Sequence, residues 1–466
     1  METALSSFRL NCELTREKKE MENSRLISII TSMIVGVFLN VLLSEADSNP
    51  PNIIFMFADD LGYADLACYG HPYAETPNLD RLASEGTRFS QCYVTGVTCN
   101  PSRTGLMTGI YPARFQKYTA DFGFGNRATI TDLLKTKGYR TGHFGKWHIG
   151  PTSMAISGRY GMDEVKVIGG NQGDPEGRDA RIYTEALDFI ESNAKQGRPF
   201  YVNIWGHSTH FPVHVHDQLT RPFNHLKVKR SDFSITMQHK FDECQKIGGN
   251  LNESMRQYLA DVYALDRNVG RVVKKIDDLG IRDNSLVVFS SDHGPAPVIP
   301  GKKGPRKYSK NMLGYAGILK GGKHQQYEGG VRVPFILRWP GKVPSAKINE
   351  SSVISLIDWF PTLCKIAGVT DLRDVFDGED VSDIWFGSNR DRGKPLFWKT
   401  SSAKSTPAMR LNNWKFHMPL KRNSQPELYD LSIDPAESQN LAASHPTIID
   451  SMRSIMKTWL SELPQK

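Results

Sequence analysis

Four apolar runs in this chain end abruptly in charged or metal-binding side chains, and this repeated arrangement constrains the fold more than any other feature. "NIIFMF" (52–57) stops at Asp59-Asp60-Leu61-Gly62, and "YRTGHFG" (139–145) at Lys146-Trp147-His148. "PFYVNIWG" (199–206) runs into "HSTHFPVH", and "SLVVFSS" (285–291) into Asp292-His293-Gly294. A near-continuous apolar run is the pattern of a strand covered on both faces. "PNLDRLASEG" (77–86) reads as a helix with proline at its start and glycine at its end, and "TRFSQCYV" (87–94) as another strand. "DARIYTEALDFIESNA" and "NESMRQYLADVYALDRNVGRVVKKIDDLG" space apolar residues three and four apart, as amphipathic helices do. Alternating strands and helices predict an α/β fold whose ligands bind beyond the carboxyl ends of the strands. One site built from distant segments accounts for the Asp, Lys, His and Cys residues gathered there.

At 466 residues the chain is long enough for more than one domain, and its 39% hydrophobic and 23% charged residues are ordinary for a globular protein. The net charge of +8 is spread along the sequence. No basic helix interleaved with aromatics occurs, which argues against nucleic-acid binding. A basic surface suits an anionic small molecule or polysaccharide equally well. "LISIITSMIVGVFLNVLLS" (26–44), preceded by Arg25, has the form of an export signal, with a retained membrane anchor as the alternative. Met21 is an alternative start, and Ser44-Glu45-Ala46 offers a mediocre cleavage site. Past about residue 385, "PLFWKTS", "PAMRLNNWKFHM" and "ELYDL" read as antiparallel strands and "PTIIDSMRSIMKTWLSEL" as a closing helix. The domain reading is therefore an N-terminal extension over 1–47, a catalytic domain over 48–385 and a C-terminal subdomain over 386–466. Cys12, Cys68, Cys92, Cys99, Cys244 and Cys364 are too widely spaced for a zinc site or a dense disulfide framework.

Each polar element has a plain alternative. An Asp-Asp pair after a strand is often turn chemistry, and a lone cysteine is often a small buried hydrophobe. Lys146 and His148 suit a solvated loop, and His207, His210, His214 and His216 a polar one. Together they say more. "CNPSR", with Cys99, Pro101 and Arg103 as C-x-P-x-R and Thr108-Gly109 following, resembles the signature of the sulfatase family. "GYRTGHFGKWH" (138–148) resembles that family's second signature. "FADDLG", "THFP", "SSDHG", "GGKHQQYEGGVRVP" and "ELYDLSIDPAESQNLA" fall in the family's order, so the resemblance spans about residues 50–445. It is to the arylsulfatase and N-acetylgalactosamine-sulfatase type of the alkaline phosphatase superfamily. Asn100, Phe144 and His293 depart from common family choices, and none touches the C-x-P-x-R core.

The resemblance implies a large mixed sheet sandwiched by helices, with a smaller C-terminal antiparallel sheet plus helix. It implies hydrolysis of sulfate esters, on a sulfated sugar or polysaccharide, after a formylglycine-generating enzyme oxidises Cys99 to an aldehyde that is then hydrated. The conversion makes chemical sense, because a thiolate attacking an anionic ester meets repulsion. A geminal diol offers one hydroxyl to attack sulfur and a second whose collapse expels sulfate. By motif position, Asp59, Asp60, Asp292 and His293 with the residue-99 oxygen are the implied metal ligands, and three carboxylates favour a hard cation, Ca²⁺ above all. Such a cation polarises sulfate oxygens. Arg103 and Lys146 are implied to hold anionic oxygens, His148 to help deprotonate the diol, and His210 and Lys323 to bind sulfate and protonate the leaving alcohol. Cys99 also falls at an expected helix N-terminus, which favours an anion. Two rival readings are a phosphate mono- or diester hydrolase of the same superfamily and a non-catalytic exported binding protein with unmodified Cys99. The inserts "HVHDQLTRPFNHLKVKRSDF" and "PAPVIPGKKGPRKYSKNMLGYAG" are rich in Lys, Arg and His, which suits a polyanionic sugar or solvated loops.

Overall fold

Strand β1 (Asn52–Ala58) is the centre of the molecule, and all its residues are buried because both its faces are covered. In this computed structural model, which describes residues 50–301, 304–370, 376–399, 406–419 and 424–464, successive β1 side chains enter opposite cores. Ile54, Met56 and Ala58 join helices Ala180–Lys195 and Leu251–Asp278 on one face. Ile53, Phe55 and Phe57 join helices Cys99–Thr108 and Trp359–Ile366 on the other. That period of two is the pleat itself. The export-signal reading and Cys12 lie outside the described residues. Among those residues no helix is long and apolar enough to cross a membrane.

The remaining main-sheet strands are β2 (Thr87–Tyr93), β3 (Arg140–Gly145), β4 (Glu164–Val167), β5 (Phe200–Trp205), β6 (Ser285–Ser291), β7 (Arg332–Arg338), β8 (Lys347–Asn349) and β9 (Ile354–Ser355). Their spatial order is β4-β3-β5-β1-β6-β7-β2-β8, with β9 beside β2. The strands β4, β3, β5, β1 and β6 run parallel. Pairings Phe57↔Trp205, Ala58↔Ser291 and Gly145↔Trp205 bring their carboxyl ends level. The residues that follow, Asp59, Lys146, His207 and Asp292, therefore emerge on one rim. Strand β7 is antiparallel to both β6 and β2, which makes the sheet mixed and returns β2 to the direction of β6. The loop after β2 and the segment before β7 thus reach the same rim, bringing Cys99 and Lys323.

A second sheet joins β10 (Leu396–Trp398), β11 (Ala408–Leu411), β12 (Trp414–His417) and β13 (Glu427–Asp430) in antiparallel sequence. Met409, Phe416 and Leu428 pack against Met452, Met456 and Trp459 of the closing helix Pro446–Ser461. The Phe397 and Trp459 rings stack with centroids 4.6 Å apart. Residues Pro51–Lys466 form one compact unit.

Candidate active site

Two neighbouring carboxylates leave β1 toward the same point, although consecutive residues of an extended strand face opposite ways. The turn is made at Asp60, whose φ of 63° lies in the left-handed region that Asp tolerates better than most side chains. Asp60 N donates to Asp292 Oδ1 at 3.2 Å and Leu61 N to Ser291 Oγ at 3.1 Å, so the exits of β1 and β6 are tied together. Asp59, Asp60, Cys99, Asp292 and His293 then present ligand atoms that all lie within 4.8 Å of one another, and all five residues are buried.

The donor set fits a divalent cation. His293 Nδ1 lies 2.9 Å from the Gly294 carbonyl oxygen, which can only accept, so Nδ1 carries the proton. Its Nε2 faces Asp60 Oδ1 at 3.2 Å, Asp292 Oδ1 at 3.4 Å and Cys99 Sγ at 3.4 Å, and in a neutral ring it would offer a lone pair to a cation there. Electron pairs converging this closely are held comfortably by a cation among them.

Three basic side chains face the carboxylates. Arg103 Nη2 donates to Asp292 Oδ2 at 2.8 Å and stands 3.9 Å from Asp59 Oδ1. Its guanidinium rests over Phe57 and Trp205, 5.2 and 4.8 Å from their centroids. Lys323 Nζ donates to both Asp60 oxygens, at 2.7 and 2.9 Å, and lies 3.9 Å from Cys99 Sγ. Lys146 Nζ pairs with Asp59 and donates to Cys99 Sγ at 3.3 Å. Burial works against the Asp59 charge, yet Lys146, His210, Arg103 and Lys323 hold its carboxyl well below the usual range. Lys146 and Lys323 are raised despite burial, chiefly by Asp59 and Asp60 respectively, and stay charged.

Cys99 is the first residue of helix Cys99–Thr108, as its position in the sequence predicts. Burial, then Asp59 and Asp292, push its thiol well above the ordinary range. An uncharged thiol is a weak nucleophile.

The histidines separate by position. His148 has a φ of 55° and an exposed side chain at the rim, and its carbonyl accepts from Asn100 Nδ2 at 2.9 Å. Desolvation in the mouth, then Lys146 and Arg103, lower its pKa to about 4. His210 is lowered by burial, with Asp59 and Asp60 opposing. Its Nδ1 lies 2.7 Å from the Phe211 carbonyl oxygen, which leaves Nε2 as the free ring nitrogen. Neither histidine hydrogen-bonds to Cys99 among the described residues. His207, His214 and His216 are engaged elsewhere: His207 Nε2 meets the Ile168 carbonyl, His214 stacks on Tyr308 and His216 caps a short helix.

Positioning residues escaped the sequence reading. Asn100 also accepts from Thr119 Oγ1 at 2.8 Å, so this departure from the usual family residue braces the His148 backbone. Arg178 Nη1 donates to the His210 carbonyl at 2.7 Å, and Asp179 accepts from the His207 and Ser208 amides. Both precede an amphipathic helix and carry no local signal beyond helix-start polarity. Phe144 packs on Phe189 in the core, centroids 5.6 Å apart. Gly145 beside it is required: its φ is 105°, and a Cβ there would meet the Trp205 carbonyl oxygen at 2.1 Å.

Comparison with known proteins agrees with this geometry. The sulfatase family model matches residues 51–369, and the model for the N-sulphoglucosamine sulphohydrolase C-terminal region matches 322–466. Arylsulfatase A of Homo sapiens is 29% identical over 496 aligned positions, covering 90% of this chain and 90% of its own. The N-acetylgalactosamine-6-O-sulfatase of Bacteroides thetaiotaomicron is 28% identical, covering 93% of this chain and 98% of its own. The solved structure of Ps i-CgsB in complex with k-i-k-neocarrahexaose superposes with a TM-score of 0.73 at 26% identity, covering 90% of this chain and 94% of that one.

Proposed function

The chain belongs to the sulfatase family and hydrolyses sulfate esters, and we propose that it does so on a sulfated sugar through Cys99 matured to formylglycine beside one Ca²⁺. The observation that carries this reading is the charge balance around Cys99. Arg103, Lys146 and Lys323 offset Asp59, Asp60 and Asp292 in the structure as it stands. A divalent cation in that cluster leaves the pocket net positive, ready for an anionic ester.

Asp59, Asp60, Asp292 and His293 would hold the cation, with the residue-99 oxygen standing where the Cys99 sulfur lies. Bound there, it supplies Lewis-acid polarisation of sulfate oxygens. The hydrated aldehyde supplies a hydroxyl nucleophile, and its second hydroxyl gives a route for sulfate release. Arg103 and Lys146 bind and orient the anionic oxygens from inside the pocket. Lys323, held protonated by Asp60, is the standing proton source for the leaving alcohol, and His210 shares that role when its Nε2 carries a proton. His148, neutral near pH 7, accepts a proton at the rim.

Maturation requires a formylglycine-generating enzyme, and the apolar stretch 26–44 supports export to a periplasmic, secreted or lysosomal location. Residues 48–385 are assigned to catalysis and 386–466 to a supporting subdomain. Matched aryl sulfate and aryl phosphate, with a panel of sulfated mono- and oligosaccharides, test the reading. Multiple turnovers on sulfate esters are expected, with phosphate esters acting as inhibitors or slow substrates, because sulfate leaves the hydrated aldehyde more readily. Phosphate turnover above that of every sulfate ester overturns it.

A further inference from the structure

The segment Lys320–Val331, between the rim and β7, carries Lys323. Two of its bonds are local to the catalytic layer: Lys323 N donates to the Pro295 carbonyl at 3.0 Å, and His324 N to that of Val97 at 2.8 Å. Beyond the Lys323 bonds to Asp60, the C-terminal sheet and the loop that follows it grip the segment from the other side. Glu328 Oε1 accepts from Lys415 Nζ of β12 at 2.8 Å, and Glu328 N donates to Glu437 Oε2 at 2.6 Å. Tyr327 OH donates to Glu427 Oε2 of β13 at 2.9 Å, and its ring packs against His417 at 4.7 Å. Lys320 Nζ lies 4.0 Å over the Tyr327 ring and donates to Tyr429 OH and the Glu437 carbonyl, each at 3.3 Å. The second Glu328 oxygen accepts from Tyr93 OH at 2.6 Å, and Tyr93 also meets Arg410 of β11. Tyr93 closes β2, the strand that leads into the Cys99 loop.

These charges are deep. Glu328 and Lys415 are 0% exposed and Glu437 is 1% exposed. Burying ions costs several kcal/mol each, and apolar residues of similar volume are often as stable in their place. Stability alone is thus a poor account of the cluster. Directional, charge-assisted bonds do what an apolar patch cannot: they hold a loop in a single register.

We propose that Lys415 of the C-terminal sheet and Glu437 of the loop after it are positioning residues that hold the Lys320–Val331 segment where Lys323 meets the Cys99 site. The catalytic half of this proposal rests on the sulfatase reading, and the structural half does not. Lys415→Met, Lys323→Ala and the double variant form a cycle against the parent enzyme, read as kcat and KM on an aryl sulfate. Amide hydrogen exchange over residues 320–331 gives a second readout that needs no turnover. Lys415→Met should lower kcat about tenfold or more with little change in KM, since small misplacements of a catalytic group are costly. In the Lys323→Ala background the same change should cost less than about threefold, because the two act through one group. Exchange of the segment should rise about tenfold while exchange in β1 is unchanged. Losses that multiply in the double variant, or unchanged exchange in a folded Lys415→Met protein, overturn the proposal. Should Lys415→Met not fold, the pair Tyr327→Phe and Glu427→Gln, which sits nearer the surface, is read the same way. Full turnover in Lys323→Ala alone would instead count against the assigned role of Lys323, with the exchange result still deciding whether the sheet holds the segment.

Discussion

Replacing Arg103 by methionine separates the electrostatics of the site from its packing. Arg103 is fully buried, bonded to Asp292 at 2.8 Å and near Asp59 at 3.9 Å, and both carboxylates are themselves 0% exposed. Methionine fills much of the space of the arginine stem between Phe57 and Trp205, so the main loss is the positive charge. Removing one partner of a buried ion pair costs about 3–5 kcal/mol, because the other is left uncompensated. At about 2 °C per kcal/mol for a large domain, that is a fall in Tm of roughly 6–10 °C. The fall belongs to the chelated protein. With Ca²⁺ in excess, Asp59 and Asp292 have another positive partner, and the gap to the parent should shrink to less than about half. Calorimetry of the unconverted protein in EDTA and then in Ca²⁺ reads both numbers without requiring activity. On the matured enzyme, kcat/KM for an aryl sulfate should fall about 10²–10³-fold, as when one preorganised donor is lost. A variant that melts with the parent in EDTA, or one whose deficit is the same with and without Ca²⁺, refutes the argument that Arg103 and a cation share the same two carboxylates.

Co-expression with a formylglycine-generating enzyme should leave the Cys99 peptide lighter than its thiol form and reactive to aldehyde probes, and Cys99→Ala should fold yet show no turnover; full activity in that variant ends the covalent scheme. Asp59→Asn or Asp292→Asn should cost about a hundredfold or more in kcat/KM and mimic chelation, whereas normal rates in enzyme confirmed metal-free would rule the cation out. His71 is buried against Phe233 and Tyr315, and burial lowers its pKa from 6.5 to about 3. The folded state therefore refuses a proton that the unfolded chain takes up, so this residue removes stability as pH falls from 6.5 toward 3, by up to about 1.4 kcal/mol per unit. Relative to the parent, His71→Phe should gain Tm steadily between pH 7 and about pH 4.5; a difference that does not vary with pH would show that the site does not titrate as described.

Much of this molecule is local in origin and so legible in the chain. The run "NIIFMF" became β1, "SLVVFSS" became β6, and "DARIYTEALDFIESNA" lies in helix Ala180–Lys195, because burial with a period of two or of three to four is written in near neighbours. The turn from β1 to Asp59-Asp60 and the placement of Cys99 at a helix start are equally local. Polar residues at strand ends announced a site, and the C-x-P-x-R pattern announced its kind.

Tertiary structure decided what those ends meet. Ile53 pairs with Tyr201 on one side and Leu286 on the other, and no local pattern chooses such distant partners. The reversal at β7 is what turns β2 and the Lys323 segment to the rim, and it follows from pairing across the sheet. Among similar histidines, His210 faces the site, its carbonyl held by the distant Arg178, while His214 stacks on Tyr308. The bond between Glu328, in the helical turn before β7, and Lys415 of β12 joins residues 87 positions apart. Buried charges are satisfied only by what the finished fold brings to them, and a sequence states the charge without its partner.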